Sequence, residues 1–113
     1  MRNEMNVRAV LTLTMALGVC PAVSAESRRI KEMYPGCADK KDMDSIIDFY
    51  SHADKEALGK FLYTKVPTGA CTVFEKGEEV YFADWKIGFI KVRRPGDVTE
   101  YWTISEVVSN YGN

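Results

Sequence analysis

Residues 77–102, GEEVYFADWKIGFIKVRRPGDVTEYW, decide the fold. Apolar and polar residues alternate through this stretch with a period of two, the pattern of strands half-buried on a sheet. Glu79 to Asp84 is predicted as a strand with Val80 and Phe82 on one face and Tyr81 and Ala83 on the other. Trp85-Lys86-Ile87-Gly88 reads as a loop tip or bulge, and Gly88 to Arg94 as the next strand. Pro95-Gly96-Asp97 is a hairpin turn leading to a last strand from Val98 to Thr103. Upstream, Cys71-Thr72-Val73-Phe74 is the first strand of the series, closed by a turn at Lys76-Gly77. Downstream, Ser105 to Val108 reads as a short closing turn or helix.

Before Ala70 the period is helical. Ile46, Phe49 and Tyr50 recur at i, i+3 and i+4, and Leu58, Phe61 and Leu62 repeat that spacing. Asp42 or Asp44 is a candidate cap for the first run and Asp54 for the second. Ser51-His52-Ala53 is a break between them, and Pro67 ends the pattern at Val66. Two short helices, or one kinked helix, are predicted over about residues 44–64, and strands over about 70–104. Residues 26–43 read as an irregular, polar arm with a basic Ser27–Lys31 segment and a turn at Tyr34-Pro35-Gly36-Cys37. Residues 44–108 form the single small domain, and 109–113 a frayed tail.

The beginning of the chain reads as a secretory signal peptide over residues 1–25. Arg2 and Arg8 supply the positive start, Ala9 to Cys20 the apolar run, and Val23-Ser24-Ala25 the small residues a peptidase reads. The apolar run is shorter than the roughly 20 residues a membrane span needs. Cys20 follows Val19, where a lipid-attachment site has a small residue, and Pro21 comes next, so lipid attachment is not expected. Cleavage after Ala25 takes 25 residues from 113, leaving 88. It removes Arg2, Arg8 and Glu4 from 15 basic and 16 acidic residues, leaving 13 and 15. A balance this near neutrality gives no support for a nucleic-acid or anionic-membrane partner. The expected location is periplasmic or secreted, with no stable membrane span after cleavage. Two cysteines remain, Cys37 and Cys71. An even pair in an oxidising compartment reads as a disulfide. Its loop of roughly 33 residues corresponds to about 3–4 kcal/mol of chain-entropy stabilisation.

The strand series resembles the C-terminal part of a bacterial Src-homology-3-like (SH3-like) domain. The residues that carry the likeness are Lys76-Gly77-Glu78-Glu79-Val80, Gly88-Phe89-Ile90-Lys91-Val92-Arg93, Pro95-Gly96 and Tyr101-Trp102. They cover about a third of the chain. A helical segment stands where the family has its opening strand, and Glu100 stands where it has a glycine. The layout also resembles small exported proteins of Gram-negative bacteria with Gly36-Cys37, a helix, Gly69-Ala70-Cys71 and strands. The expected fold is α+β: a short N-terminal helical segment packed on a small antiparallel SH3-like β-barrel, with one disulfide.

Candidate chemistry is sparse. The one histidine, His52, has no thiolate or hydroxyl constellation to serve, because both cysteines are expected to be oxidised. Asp39, Asp42, Asp44 and Asp48 have only the first spacing of a calcium loop and read as charge at a helix start. Glu75, Glu78 and Glu79 flank a turn, where paired glycosidase acids would need a cleft. No catalytic residue, metal or cofactor is expected. The remaining candidate is a strand face: Phe89, Lys91 and Arg93 point one way, and Tyr81, Trp85 and Tyr101 are expected to gather beside them. Aromatic rings with cationic rims suit a protein, peptide or cell-wall polymer in the periplasm. Lysines and arginines on outer strands also serve simply to block edge pairing. The leading expectation is therefore a non-enzymatic exported binding module. The alternative is a periplasmic inhibitor or immunity-type protein that blocks a hydrolase or toxin. A groove lined by Phe89 and Tyr101 would mark the first, and a protruding Trp85-Lys86-Ile87 loop the second.

Overall fold

In chain order the computed structural model, which describes residues 26–110, runs through β1 (Ser27–Arg29), β2 (Tyr34–Cys37), α1 (Lys40–Ser51), α2 (Lys55–Lys65), β3 (Cys71–Phe74), β4 (Glu79–Lys86), β5 (Phe89–Arg93) and β6 (Glu100–Ile104), with a 3₁₀ turn at Ser105–Val107. The expected signal peptide and residues 111–113 of the expected tail lie outside the described residues. The strands form one antiparallel sheet in the order β1-β4-β5-β6-β2-β3. The α+β class and the antiparallel sheet follow the expectation.

The connections force this sheet to curl. β1 and β2 are joined by residues 30–33 yet stand four places apart in the order, and so do β3 and β4, joined by residues 75–78. Strands about 4.8 Å apart would put such pairs roughly 19 Å apart in a flat sheet. A link of five Cα steps reaches at most about 17 Å. Contacts across the curl include an isolated bridge between Ile30 and Val108. Arg94, just past β5, also donates to Thr72 Oγ1 at 2.8 Å and to the Val73 carbonyl at 3.1 Å in β3. Ile30, Phe74, Val80, Ile90, Val92, Tyr101, Val107 and Val108 are buried inside.

The opposite face of the sheet carries the helices. Asp39 caps α1 by accepting from the Lys41 N–H at 2.9 Å. Met43 and Ile46, one turn apart, are fully buried against Cys37, Cys71 and Trp102. Asp54 caps α2 through the Ala57 N–H at 3.0 Å. No residue of α2 is fully buried; it rests on α1 and β3 through half-buried Leu58, Phe61 and Leu62. The Cys37–Cys71 disulfide joins directly opposed residues of β2 and β3 beneath the helices. No helix among the described residues is long and apolar enough to cross a membrane.

Three expectations need correction. Residues 26–43 are not an irregular arm: β1 and β2 lie there and α1 begins at Lys40. Their ladders run to residues some 34–54 positions away, from Cys37–Cys71 to Ser27–Tyr81, so local pattern does not announce them. Ser109 is not frayed, because its N–H donates to the Arg29 carbonyl at 2.8 Å and its Oγ accepts from the Arg29 N–H at 2.9 Å. The third concerns β4, which continues through Trp85 and Lys86 and changes register between Phe82 and Asp84.

Candidate functional site

Directly opposed residues of an antiparallel pair project to the same side. On the helix-bearing side, Tyr81 faces Arg93, and Lys91 faces Trp102. Phe89 belongs to the same side of β5 and is half-buried against the helical cluster. The cations here are already engaged. The Arg93 guanidinium sits 5.1 Å over the Tyr81 ring and donates to the Asp97 carbonyl at 3.1 Å. The Lys91 ammonium lies 4.9 Å from the centre of the Trp102 ring and 3.7 Å from Glu100. Lys40 of α1 covers Phe89 at 4.4 Å.

Four of the six expected site residues, Tyr81, Phe89, Lys91 and Arg93, therefore share a face. The other two do not join them. The irregularity at Ala83 inserts an extra residue, so Trp85 stands opposite Ile90 and is turned to the side away from Phe89. Tyr101 stands opposite Val92, is 7 % exposed, and meets Phe74 edge-on inside the curl. A bulge and a one-residue parity difference thus split an aromatic set that simple alternation had grouped.

What the hairpin presents instead is its tip. Among the described residues, β1 pairs with β4 as far as Tyr81, followed by one bond from the Phe82 N–H to the Glu26 carbonyl. Ala83 to Lys86 and the turn at Ile87-Gly88 extend past it. Gly88 holds φ 82°, a left-handed conformation that suits glycine. Trp85 is 58 % exposed and Ile87 85 % exposed. The Trp85 N–H is covered by the Asp84 carboxylate at 2.7 Å. That bond blunts the strand edge as a template for pairing, so the tip offers apolar side chains rather than free backbone.

A second feature escaped the sequence reading. Phe49, Tyr50, Ala53, Asp54, Lys55 and Leu58 line a pocket of about 220 Å³ where α1 hands over to α2. Tyr50 stacks on Tyr34 with ring centres 4.9 Å apart and planes 15° apart. The helical spacing had placed Phe49 and Tyr50 on a packing stripe. Ala53 takes a left-handed conformation, φ 54°, in the turn between the helices; Phe49 meets Phe61 of α2, while Tyr50 stays partly exposed.

The carboxylates are mostly occupied in local structure. Asp42 pairs with Lys65 at 3.5 Å, Asp44 with Lys40 at 3.2 Å, and Asp48 lies 3.5 Å from His52. Glu79 accepts from Ser27 Oγ at 2.7 Å, and Glu78 is held by Arg94. Burial alone would raise the Glu78 carboxyl. The Arg94 hydrogen bond, the Glu75 N–H and the Arg94 charge outweigh it and leave the group below its ordinary value. No group of three or more metal-ligating side chains occurs among the described residues.

The fold and these features define a disulfide-linked α+β domain with a curled six-stranded antiparallel sheet, an exposed apolar hairpin tip and an apolar pocket between its helices. No protein-family model matches the chain, and no curated protein or solved structure matches it.

Proposed function

We propose that this chain is an exported, non-enzymatic protein-binding module that works as an inhibitor or immunity-type protein, placing its β4–β5 tip in a cleft of a hydrolase or toxin. The observation that carries the reading is the adjacency of exposed Trp85 and Ile87 at the end of the β4–β5 hairpin, past the last residue of β4 that β1 pairs among the described residues. Tryptophan anchors of this kind dominate the energetics of protein interfaces. Full burial of a side chain the size of isoleucine contributes about 1.5–3 kcal/mol. The disulfide supports a destination in an oxidising compartment. The curled antiparallel sheet supports an SH3-like scaffold, in which the barrel holds the hairpin rigid and the helices and disulfide brace its back.

The leading expectation from the sequence, ligand binding on the strand face, has less support. Its cations are already engaged, Lys91 with Glu100 and Trp102 and Arg93 with the Tyr81 ring and the Asp97 carbonyl, and Trp85 and Tyr101 do not contribute to it.

A photo-crosslinking residue at position 87, in the chain expressed and exported in a Gram-negative host, tests the proposal. Position 63 is the control, since Tyr63 on α2 is also 85 % exposed. The expected result is one discrete adduct from position 87 and none from 63, lost when Trp85→Ser is added. Equal labelling from both positions would exclude the tip as the contact element.

A further inference from the structure

The pocket between α1 and α2 is small, apolar and open at the surface. At about 220 Å³ it falls below the roughly 300–1,000 Å³ of sites that enclose whole drug-sized ligands. It exceeds the roughly 150 Å³ that accommodates a benzene ring. That size suits one leucine, methionine or phenylalanine side chain. Its walls are Phe49, Tyr50, Ala53 and Leu58, and Tyr50 remains 45 % exposed while stacked on Tyr34.

The surroundings are acidic. The charges of Glu106 and Glu32 both act on the Tyr34 hydroxyl, and Glu32 acts on Tyr50 as well, so both carboxylates stand within electrostatic reach of the stacked rings. Both glutamates are exposed, and neither forms an ion pair among the described residues. Asp48 and Asp54 add two more carboxylates beside the lining residues. Against these four stand Lys55 on the rim, Lys31 next to Glu32, and His52 beside Asp48. The carbonyl end of α1 and the N–H end of α2 meet at the pocket, so their dipoles offset each other and the side-chain charges set the local sign.

We infer that this pocket is a second docking site, taking one apolar side chain of a protein segment whose flanking residues are lysine or arginine. Apolar fit supplies the anchor, and charge complementarity to Glu32 and Glu106 selects the flanks. A cation approaching the exposed Tyr50 ring gains from the aromatic face as well. The site is separate from the hairpin tip. Lys40, which covers Phe89 near the hairpin, and Ser51, beside the pocket, are opposite ends of α1, about 16 Å apart.

The test is an amide-resolved NMR titration of the oxidised chain with three probes: N-acetyl-Lys-Leu-Lys-amide, N-acetyl-Glu-Leu-Glu-amide and N-acetyl-Lys-Gly-Lys-amide. Saturating shifts at Phe49, Tyr50, Ala53, Lys55 and Leu58 are expected with the first probe. Binding of each of the other two should be at least about tenfold weaker, one lacking the charge match and one the anchor. The Glu32→Lys/Glu106→Lys variant, altered only at exposed positions, should bind the first probe about fivefold more weakly. Trp85→Ser should bind it normally, which separates this site from the tip. Shifts that do not saturate, equal binding of the acidic or glycine probe, or an unaffected double variant would each overturn the inference.

Discussion

Replacing Cys37 and Cys71 together with alanine removes the only covalent tie between the two halves of the described chain. The bond spans 34 positions, and the closed loop contains both helices. Chain entropy for a loop of that length amounts to about 4 kcal/mol at 25 °C. A domain of this size has a total stability of about 4–13 kcal/mol, so the loss ranges from a third of it to all of it. Both sulfurs are buried among Met43, Ile46 and Trp102. The alanine pair therefore also leaves small voids, worth about 1 kcal/mol in all. Reduction of the native chain removes the bond but keeps the sulfur atoms, which separates the two effects. Urea titrations followed by circular dichroism on the oxidised chain, the reduced chain and the alanine pair give the comparison. The reduced chain should be less stable by about 4 kcal/mol and the alanine pair by about 5. Both should unfold with a steeper urea dependence, since an unlinked denatured chain exposes more surface. In thermal scans the midpoint should fall by about 15–30 °C. A reduced chain within about 1 kcal/mol of the oxidised one would refute the loop argument. The helices would then owe their place to packing alone.

Three further outcomes are expected. Gly36→Ala should destabilise by about 1–3 kcal/mol in the same urea assay. Its Cβ would stand 2.7 Å from the Phe74 ring and 2.9 Å from the Trp102 carbonyl oxygen, and that backbone oxygen has little room to move. Gly59→Ala on α2 meets nothing within 4 Å and should stabilise by about 0.5–1 kcal/mol, which controls for a general effect of added methyls. Glu78→Gln should cost about 1–2 kcal/mol at pH 7 through the lost charge on its Arg94 hydrogen bond. The folded-state Glu78 carboxyl lies below its ordinary 4.5, so its contribution is full above that pH and disappears as pH falls through the lower folded value. The gap between native and Glu78→Gln chains should therefore close below pH 4.5, and a gap unchanged down to pH 3 would contradict the assignment.

Much of this architecture is written in local pattern. β3 falls on Cys71–Phe74 as alternation predicts, and the turns at Lys76-Gly77 and Pro95-Gly96-Asp97 stand between strands as their residues require. Asp54 caps α2, the break falls at His52–Asp54, and Cys37 and Cys71 are joined. Trp102 packs beneath the helices, as a residue on a strand facing them should. Each of these depends on neighbours within a few positions, or on there being just two cysteines to pair.

The rest depends on partners far along the chain. Ser27–Arg29 and Tyr34–Cys37 are too short to show a period, and they become strands because β4 and β3 offer them ladders. The candidate site followed the same rule. Tyr81, Phe89, Lys91 and Arg93 share a face because their strands are regular there. Trp85 left that face because of one inserted residue at Ala83, and Tyr101 because its partner is Val92. The pocket lies at the turn between the two helices, where Ala53, the left-handed residue of that turn, is one of its lining residues. By itself the sequence determined the two helices, the strands β3 to β6 and the disulfide, since period and turn chemistry act over short range. Only the tertiary structure decided which aromatic side chains are sealed inside and which stand in solvent, because register, bulges and helix placement are set by contacts between distant residues.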